Sequence, residues 1–208
     1  MMKVVRVLVV VVFFFMSLAV FAQKAPTAEA SVDYSMVMYN PAKNYTGTRY
    51  LNGGGGAIVY NFGKYLGLKG EFQGYASTTA TFTVPAGRVI PPGIYKTQAN
   101  MFTYLFGPQI NFRIRRGKIF AETLFGGAHS NGYANLYRAA GYGTGSAQNN
   151  GFAMAMGGGF DYHLTDSFDV RVAEVDYFLT RYSVVVLGTN NQSNFRYVGG
   201  IVYRFGGK

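Results

Sequence analysis

The stretch Met101-Phe-Thr-Tyr-Leu-Phe-Gly-Pro-Gln-Ile-Asn-Phe-Arg-Ile114 decides the fold. Phe102, Tyr104, Phe106, Ile110, Phe112 and Ile114 fall on one side of a two-residue repeat, and Thr103, Gln109, Asn111 and Arg113 on the other. A helix would scatter these residues around its axis. Successive side chains of a strand point to opposite faces, so the spacing predicts a strand with one apolar and one polar face.

Seven other segments carry the same alternation. They are Ser31–Tyr39, Gly54–Phe62, Leu66–Ala76, Ile119–His129, Phe152–Leu164, Phe168–Leu179 and Phe195–Phe205. Two have irregular parity. In Ile119–His129, Glu122 shares a face with Phe120 and Leu124. In Phe168–Leu179, Arg171 falls on the apolar face near one end, where it either snorkels toward headgroups or is turned inward by a bulge. The connections alternate in length. Gly63–Tyr65, Arg115–Lys118 and Thr165–Ser167 read as short turns, whereas Asn40–Asn52, Thr78–Asn100, Ser130–Asn150 and Thr180–Asn194 read as long loops rich in Gly, Asn, Thr and Pro. An even number of two-faced strands, with short turns at one end and long loops at the other, predicts an all-β, eight-stranded antiparallel up-and-down transmembrane barrel.

The polar face decides which side looks inward. It is small, rich in glycine and sparsely charged, and its charges are mixed in sign, which makes it a poor water-facing exterior but a suitable narrow lumen. Asp33, Glu71, Glu122, Asp161, Glu174 and Asp176 can meet Lys69, Arg113, Arg196 and Arg204 there. Buried charges must pair, because an unpaired one costs several kcal/mol. If the barrel closes, the first and last segments are neighbours, which puts Asp33 on a strand adjacent to that of Arg196 and Arg204. The apolar face ends in two aromatic groups: Phe62, Phe112, Tyr162, Phe168, Tyr203 and Phe205 toward the short turns, and Phe102, Tyr104, Phe152, Tyr177, Phe195 and Tyr197 toward the long loops. Two such girdles around an apolar band match the two interfaces of a bilayer.

The N-terminus reads as an export signal spanning residues 1–22. Lys3 and Arg6 precede an apolar run from Val7 to Phe21, and Val20-Phe21-Ala22 places small or β-branched residues at the expected cleavage point after Ala22. The run is shorter than the about 20 residues a spanning helix needs. Residues 23–208 then form the barrel domain. Loss of Lys3 and Arg6 leaves about +8 of the formal +10 charge.

On these residues the chain resembles the small Gram-negative outer-membrane barrels, the OmpA-like and OmpX-like eight-stranded proteins. The most specific element is Phe195-Arg-Tyr-Val-Gly-Gly-Ile-Val-Tyr-Arg-Phe205, which resembles the terminal strand read by the barrel-assembly machinery. Tyr203 and Phe205 are its signal residues. Gly206-Gly207-Lys208 follow Phe205, where many members stop at the aromatic. The resemblance implies a monomer in the outer membrane, in contact with its lipid and with lipopolysaccharide. It covers the barrel and does not extend to the peptidoglycan-binding domain of larger members.

The chemistry-bearing residues are few. With no cysteine, thiolate metal sites and thiol nucleophiles are excluded. His129 and His163 belong to no metal-binding motif, so neither a metal site nor a cofactor is expected. The adjacent pair His129-Ser130 leaves a lipid A hydrolase as a distant alternative. Gly53–Gly56 lacks the Lys-Ser/Thr of a phosphate loop and reads as close strand packing, while Gly126–Gly127 and Gly157–Gly159 read as lumen space and curvature. Arg115-Arg116-Gly117-Lys118 reads as a solvated turn rather than a nucleic-acid site. Lys43, Arg49, Arg88, Lys96, Arg138 and Arg181 make the long loops basic, a field that attracts phosphates and other anions. The sequence thus leaves a non-enzymatic structural or surface-interaction barrel, with a narrow pore or transporter as the alternative.

Overall fold

The computed structural model describes residues 25–39, 49–76, 80–84, 86, 91–98, 100–141, 147–184 and 188–206. The expected signal and its cleavage point at Ala22 lie outside these residues. Eight strands close into one antiparallel barrel: β1 (Ala28–Tyr39), β2 (Arg49–Asn61), β3 (Leu66–Ala76), β6 (Asn100–Ile114), β7 (Gly117–Ser130), β8 (Ala147–His163), β9 (Phe168–Val184) and β10 (Gly188–Phe205). Each pairs with its neighbour in sequence, and β1 closes the ring on β10 with Ala28 opposite Phe205. The β3–β6 connection carries a separate hairpin, β4 (Ala80–Val84) and β5 (Gly93–Thr97). A helix, α1 (Gly132–Ala139), follows β7. No helix among the described residues is long and apolar enough to cross a membrane.

Alternation in the sequence becomes alternation through the wall. Along β6 the burial switches at nearly every residue, with Phe102, Tyr104, Phe106, Ile110 and Phe112 outside and Thr103, Gln109 and Asn111 inside. Pro108 interrupts neither the strand nor its register. The β6–β7 ladder simply lacks paired positions at Gly107 and Pro108, where proline has no amide proton to give. Outside, the aromatics of both girdles are largely exposed, and some pack edge-to-face: Tyr60–Phe62 at 5.2 Å, Phe168–Tyr203 at 5.0 Å and Tyr203–Phe205 at 4.6 Å between ring centroids. With lipid outside, this arrangement leaves no open sheet edge unpaired.

Three sequence expectations need correction. Thr180–Asn194 is not a long loop, because β9 runs to Val184 and β10 begins at Gly188. Beyond an apolar band both faces of a strand become polar, so the alternation fades while the hydrogen-bond ladder continues. The first strand begins at Ala28 rather than Ser31, which brings Glu29 into the lumen. Finally, Lys118 is not a solvated turn residue. It is the second residue of β7, and its side chain is buried.

The irregular parity of the seventh segment resolves as a bulge. On β8, Phe160 faces Ala173 and Asp161 faces Arg171, so Val172 is an extra residue in β9. On the other side, Glu174 faces Val198 and Arg171 faces Gly200. One inserted residue flips the faces, so Arg171 and Asp169 point inward along with Glu174 and Asp176. In Ile119–His129 the mixed face is the lumen face: Phe120, Glu122 and Leu124 are all buried.

Candidate functional site

The lumen is built in two layers. Toward the long loops it is apolar: Val37, Leu51, Tyr75, Met101, Leu105, Leu124, Ala128, Phe178 and Tyr182 form one buried cluster, joined by Leu136 and Tyr137 of α1. The helix lies against this end of the barrel. Asn135 donates a 2.6 Å hydrogen bond to the Gln98 carbonyl, and the Asn100 amide donates 2.8 Å to Asn131 Oδ1. Two polar pairs lie in the upper lumen: the Ser35 and Tyr75 hydroxyls are 2.9 Å apart, and Thr180 donates to Gln192 at 2.7 Å.

Toward the short turns the lumen is ionic. At its centre Lys69 Nζ lies 2.8 Å from Glu122, 3.0 Å from Glu174 and 3.2 Å from Glu71. One oxygen from each of these three carboxylates lies within 4.8 Å of the other two, a grouping that could hold a cation, and the Lys69 ammonium supplies the positive charge between them. Gln109 donates 2.9 Å to the other oxygen of Glu122. Arg196 binds Glu71 and reaches Asp176 at 2.7 Å and Glu174 at 3.3 Å. Arg171 holds Glu174 at 3.0 Å and Asp161 at 2.9 Å. Lys118 continues the chain from Asp161, at 3.1 Å, to Glu29, which Arg113 also binds at 2.9 Å. One connected path of ion pairs therefore runs from Arg113 near the short turns to Arg196 in mid-barrel.

The surrounding residues make room for it. Phe120 is a buried ring with Arg171, Lys118 and Lys69 at 5.0, 5.3 and 5.8 Å from its centroid, within cation–π range. A Cβ at Gly159 would sit 2.7 Å from that ring. Gly200 lies between Asp33 on β1 and Arg171 on β9, and a Cβ there would meet Asp33 Oδ1 at 2.5 Å. The gap left by Gly200 lets Arg171 approach Asp33 at 3.8 Å.

Of the residues expected in a lumen network, Asp33, Lys69, Glu71, Arg113, Glu122, Asp161, Glu174, Asp176 and Arg196 lie along this path. Arg204 lies apart: it pairs at 3.1 Å with Asp169, which also contacts His163 at 2.8 Å near the short turns. Asp33 meets Arg171 rather than Arg196 or Arg204, because Gly200 is its partner on β10. Glu29 and Lys118 are additions that parity does not supply, and Arg171 joins the network through the bulge, the second of its two sequence readings. Tyr203 and Phe205 face outward and are exposed.

His129 and Ser130 do not come together as a catalytic pair. His129 is exposed on the outer face, with Nδ1 2.8 Å from Asn150 Oδ1, while Ser130 is buried on the inner face, its hydroxyl accepting from the Gly132 amide at 3.3 Å. Adjacent strand residues point through opposite sides of the wall. Of the basic loop residues, Lys43 and Arg88 lie outside the described residues. Lys96, Arg138 and Arg181 are exposed, on β5, α1 and β9 respectively.

No protein-family model matches this sequence. No curated protein matches it either. Solved structures do match. Neisserial surface protein A superposes with a TM-score of 0.55 at 12% identity, covering 86% of this chain and 97% of that one. The outer membrane protein OprG from Pseudomonas aeruginosa superposes with a TM-score of 0.57 at 9% identity, covering 88% and 98%. At these identities the likeness is one of fold: the chain has the eight-stranded barrel fold of small outer-membrane proteins.

Proposed function

We propose that the chain is exported, loses residues 1–22, and sits in the Gram-negative outer membrane as a sealed, non-enzymatic barrel. Both termini and the short turns would then be periplasmic, and the protein acts as a monomer through its basic outer surface in a structural or surface-interaction role. The observation that carries this reading is the doubly filled lumen. An ion-paired layer and an apolar layer capped by α1 occupy the cross-section, in keeping with eight strands enclosing only enough space for side chains. The aromatic girdles and the bilayer-sized apolar band support the location. The C-terminal strand supports insertion by the barrel-assembly machinery.

Accessibility tests the seal. Thr103 is fully buried in the lumen face of β6, whereas Arg138 is exposed on α1. In the folded protein, Thr103→Cys should resist a bulky water-soluble maleimide, and Arg138→Cys should react within minutes. Equal labelling rates would contradict a filled lumen.

A further inference from the structure

The acidic side chains are distributed very unevenly. Eight of the nine Asp and Glu residues are buried inside the barrel; the ninth, Asp166, lies in the turn between β8 and β9. In the sequence, the segments read as long loops carry Lys43, Arg49, Arg88, Lys96, Arg138 and Arg181 and no carboxylate. Most of these residues belong to connections or the elements within them. Arg181 is different, because it projects from the outer wall of the barrel itself, between the inward-facing Thr180 and Tyr182.

Arg181 belongs to a row of outward, exposed polar residues on four consecutive strands: His129 on β7, Asn150 on β8, Arg181 on β9 and Asn191 on β10. His129 is directly opposite Asn150, and Arg181 is directly opposite Asn191. Asn150 lies diagonally from Arg181, whose direct partner on β8 is Phe152, so the row is within side-chain reach. Just beneath it are the outward aromatics Phe152, Tyr177 and Phe195, the last two with ring centroids 6.3 Å apart. Counting strand rise along tilted β9 from Phe168, and omitting the bulged residue, puts Arg181 roughly 30 Å above the lower girdle, just past an apolar band about 25 Å tall.

We propose that Arg181, with His129, Asn150 and Asn191, docks a phosphate group of the outer-leaflet glycolipid. This rests on the outer-membrane orientation given above. At that height the wall faces headgroups rather than acyl chains or bulk water. A guanidinium binds phosphate through paired, charge-assisted hydrogen bonds, and the two asparagines add neutral donors. The segments read as long loops supply no carboxylate to compete for the arginine.

The test uses the full barrel refolded into phosphatidylcholine nanodiscs. Folding is scored first, by the gel shift between unboiled and boiled samples. Lipid A, dephosphorylated lipid A and phosphatidylglycerol are then titrated in, and retention is read by native mass spectrometry. The wild type should hold lipid A about tenfold more tightly than either other lipid, the range expected for one charge-assisted contact. Arg181→Gln should abolish that preference, while Arg138→Gln should keep it. The proposal is overturned if Arg181→Gln retains lipid A like wild type, if dephosphorylated lipid A binds equally well, or if phosphatidylglycerol does, since bulk charge would then suffice. A chain that gives no heat-shifted band in the first step would overturn the membrane reading itself, and the proposal with it.

Discussion

Arg196→Ala is expected to lower the unfolding free energy of the barrel by about 3–5 kcal/mol, the range for removing one partner of a buried ion pair. Arg196 is fully buried and is shared by Glu71, Glu174 and Asp176. Its loss leaves Asp176 with no cation within salt-bridge distance among the described residues and adds to an existing excess of carboxylates. Along the ion-pair path, Lys69, Arg113, Lys118, Arg171 and Arg196 already face the larger acidic group of Glu29, Asp33, Glu71, Glu122, Asp161, Glu174 and Asp176. Arg113→Ala is the control: its side chain is 14% exposed, and among the described residues it ion-pairs with one carboxylate, Glu29, while also donating to the Lys64 carbonyl, so it should cost clearly less. Glu174→Gln should recover part of the loss seen in Glu174→Ala, because it keeps size and hydrogen bonding without charge. Arg196→Ala and Glu174→Ala should combine less than additively, since they share a contact. Urea unfolding in detergent, followed by the heat-shifted band, measures each difference. Wild-type midpoints for Arg196→Ala and Glu174→Ala would contradict the network's role.

The second large effect concerns assembly. Tyr203→Asp with Phe205→Asp should reduce the amount of protein in the outer membrane to background. Thermodynamics alone predicts a modest cost. Charged substitutions near a membrane interface cost about 0–1 kcal/mol each, and the lost ring contacts of Tyr203 with Phe168 and Phe205 add about 0.5–1.5 kcal/mol apiece. If Tyr203 and Phe205 are read by the assembly machinery, the double variant should vanish from the outer membrane in cells. The urea-unfolded protein should still refold into detergent at substantial yield. Normal outer-membrane levels would remove the assembly role from this strand, and failure in both settings would make the residues purely structural.

The strand count, the closure and the inward direction of the polar face were legible because the two faces of a lipid-exposed barrel differ so strongly in chemistry. Where that contrast weakens, the reading failed in identifiable ways. The β9 bulge adds Val172, a single residue of ordinary strand type, so parity alone left Arg171 between snorkelling and an inward turn. Lys118 adjoins two arginines and a glycine, and only its pairing with Glu29 and Asp161 places it inside. Past the apolar band, Thr180–Asn194 lost its alternation but not its ladder. The β4–β5 hairpin and α1 were not anticipated, because short elements packed on a barrel rim carry little periodicity of their own. Within the ionic core, the participants could be listed from parity, but their partners could not. That choice depends on which neighbour is a glycine, as Gly200 shows for Asp33 and Arg171.

The central claim, that side chains seal the barrel, is tested most directly by planar-bilayer conductance of the purified wild-type protein. The filled lumen predicts a current indistinguishable from that of bare lipid over a broad voltage range, in preparations whose heat-shifted band confirms folding. Sustained, reproducible unit steps from that same folded protein would contradict it.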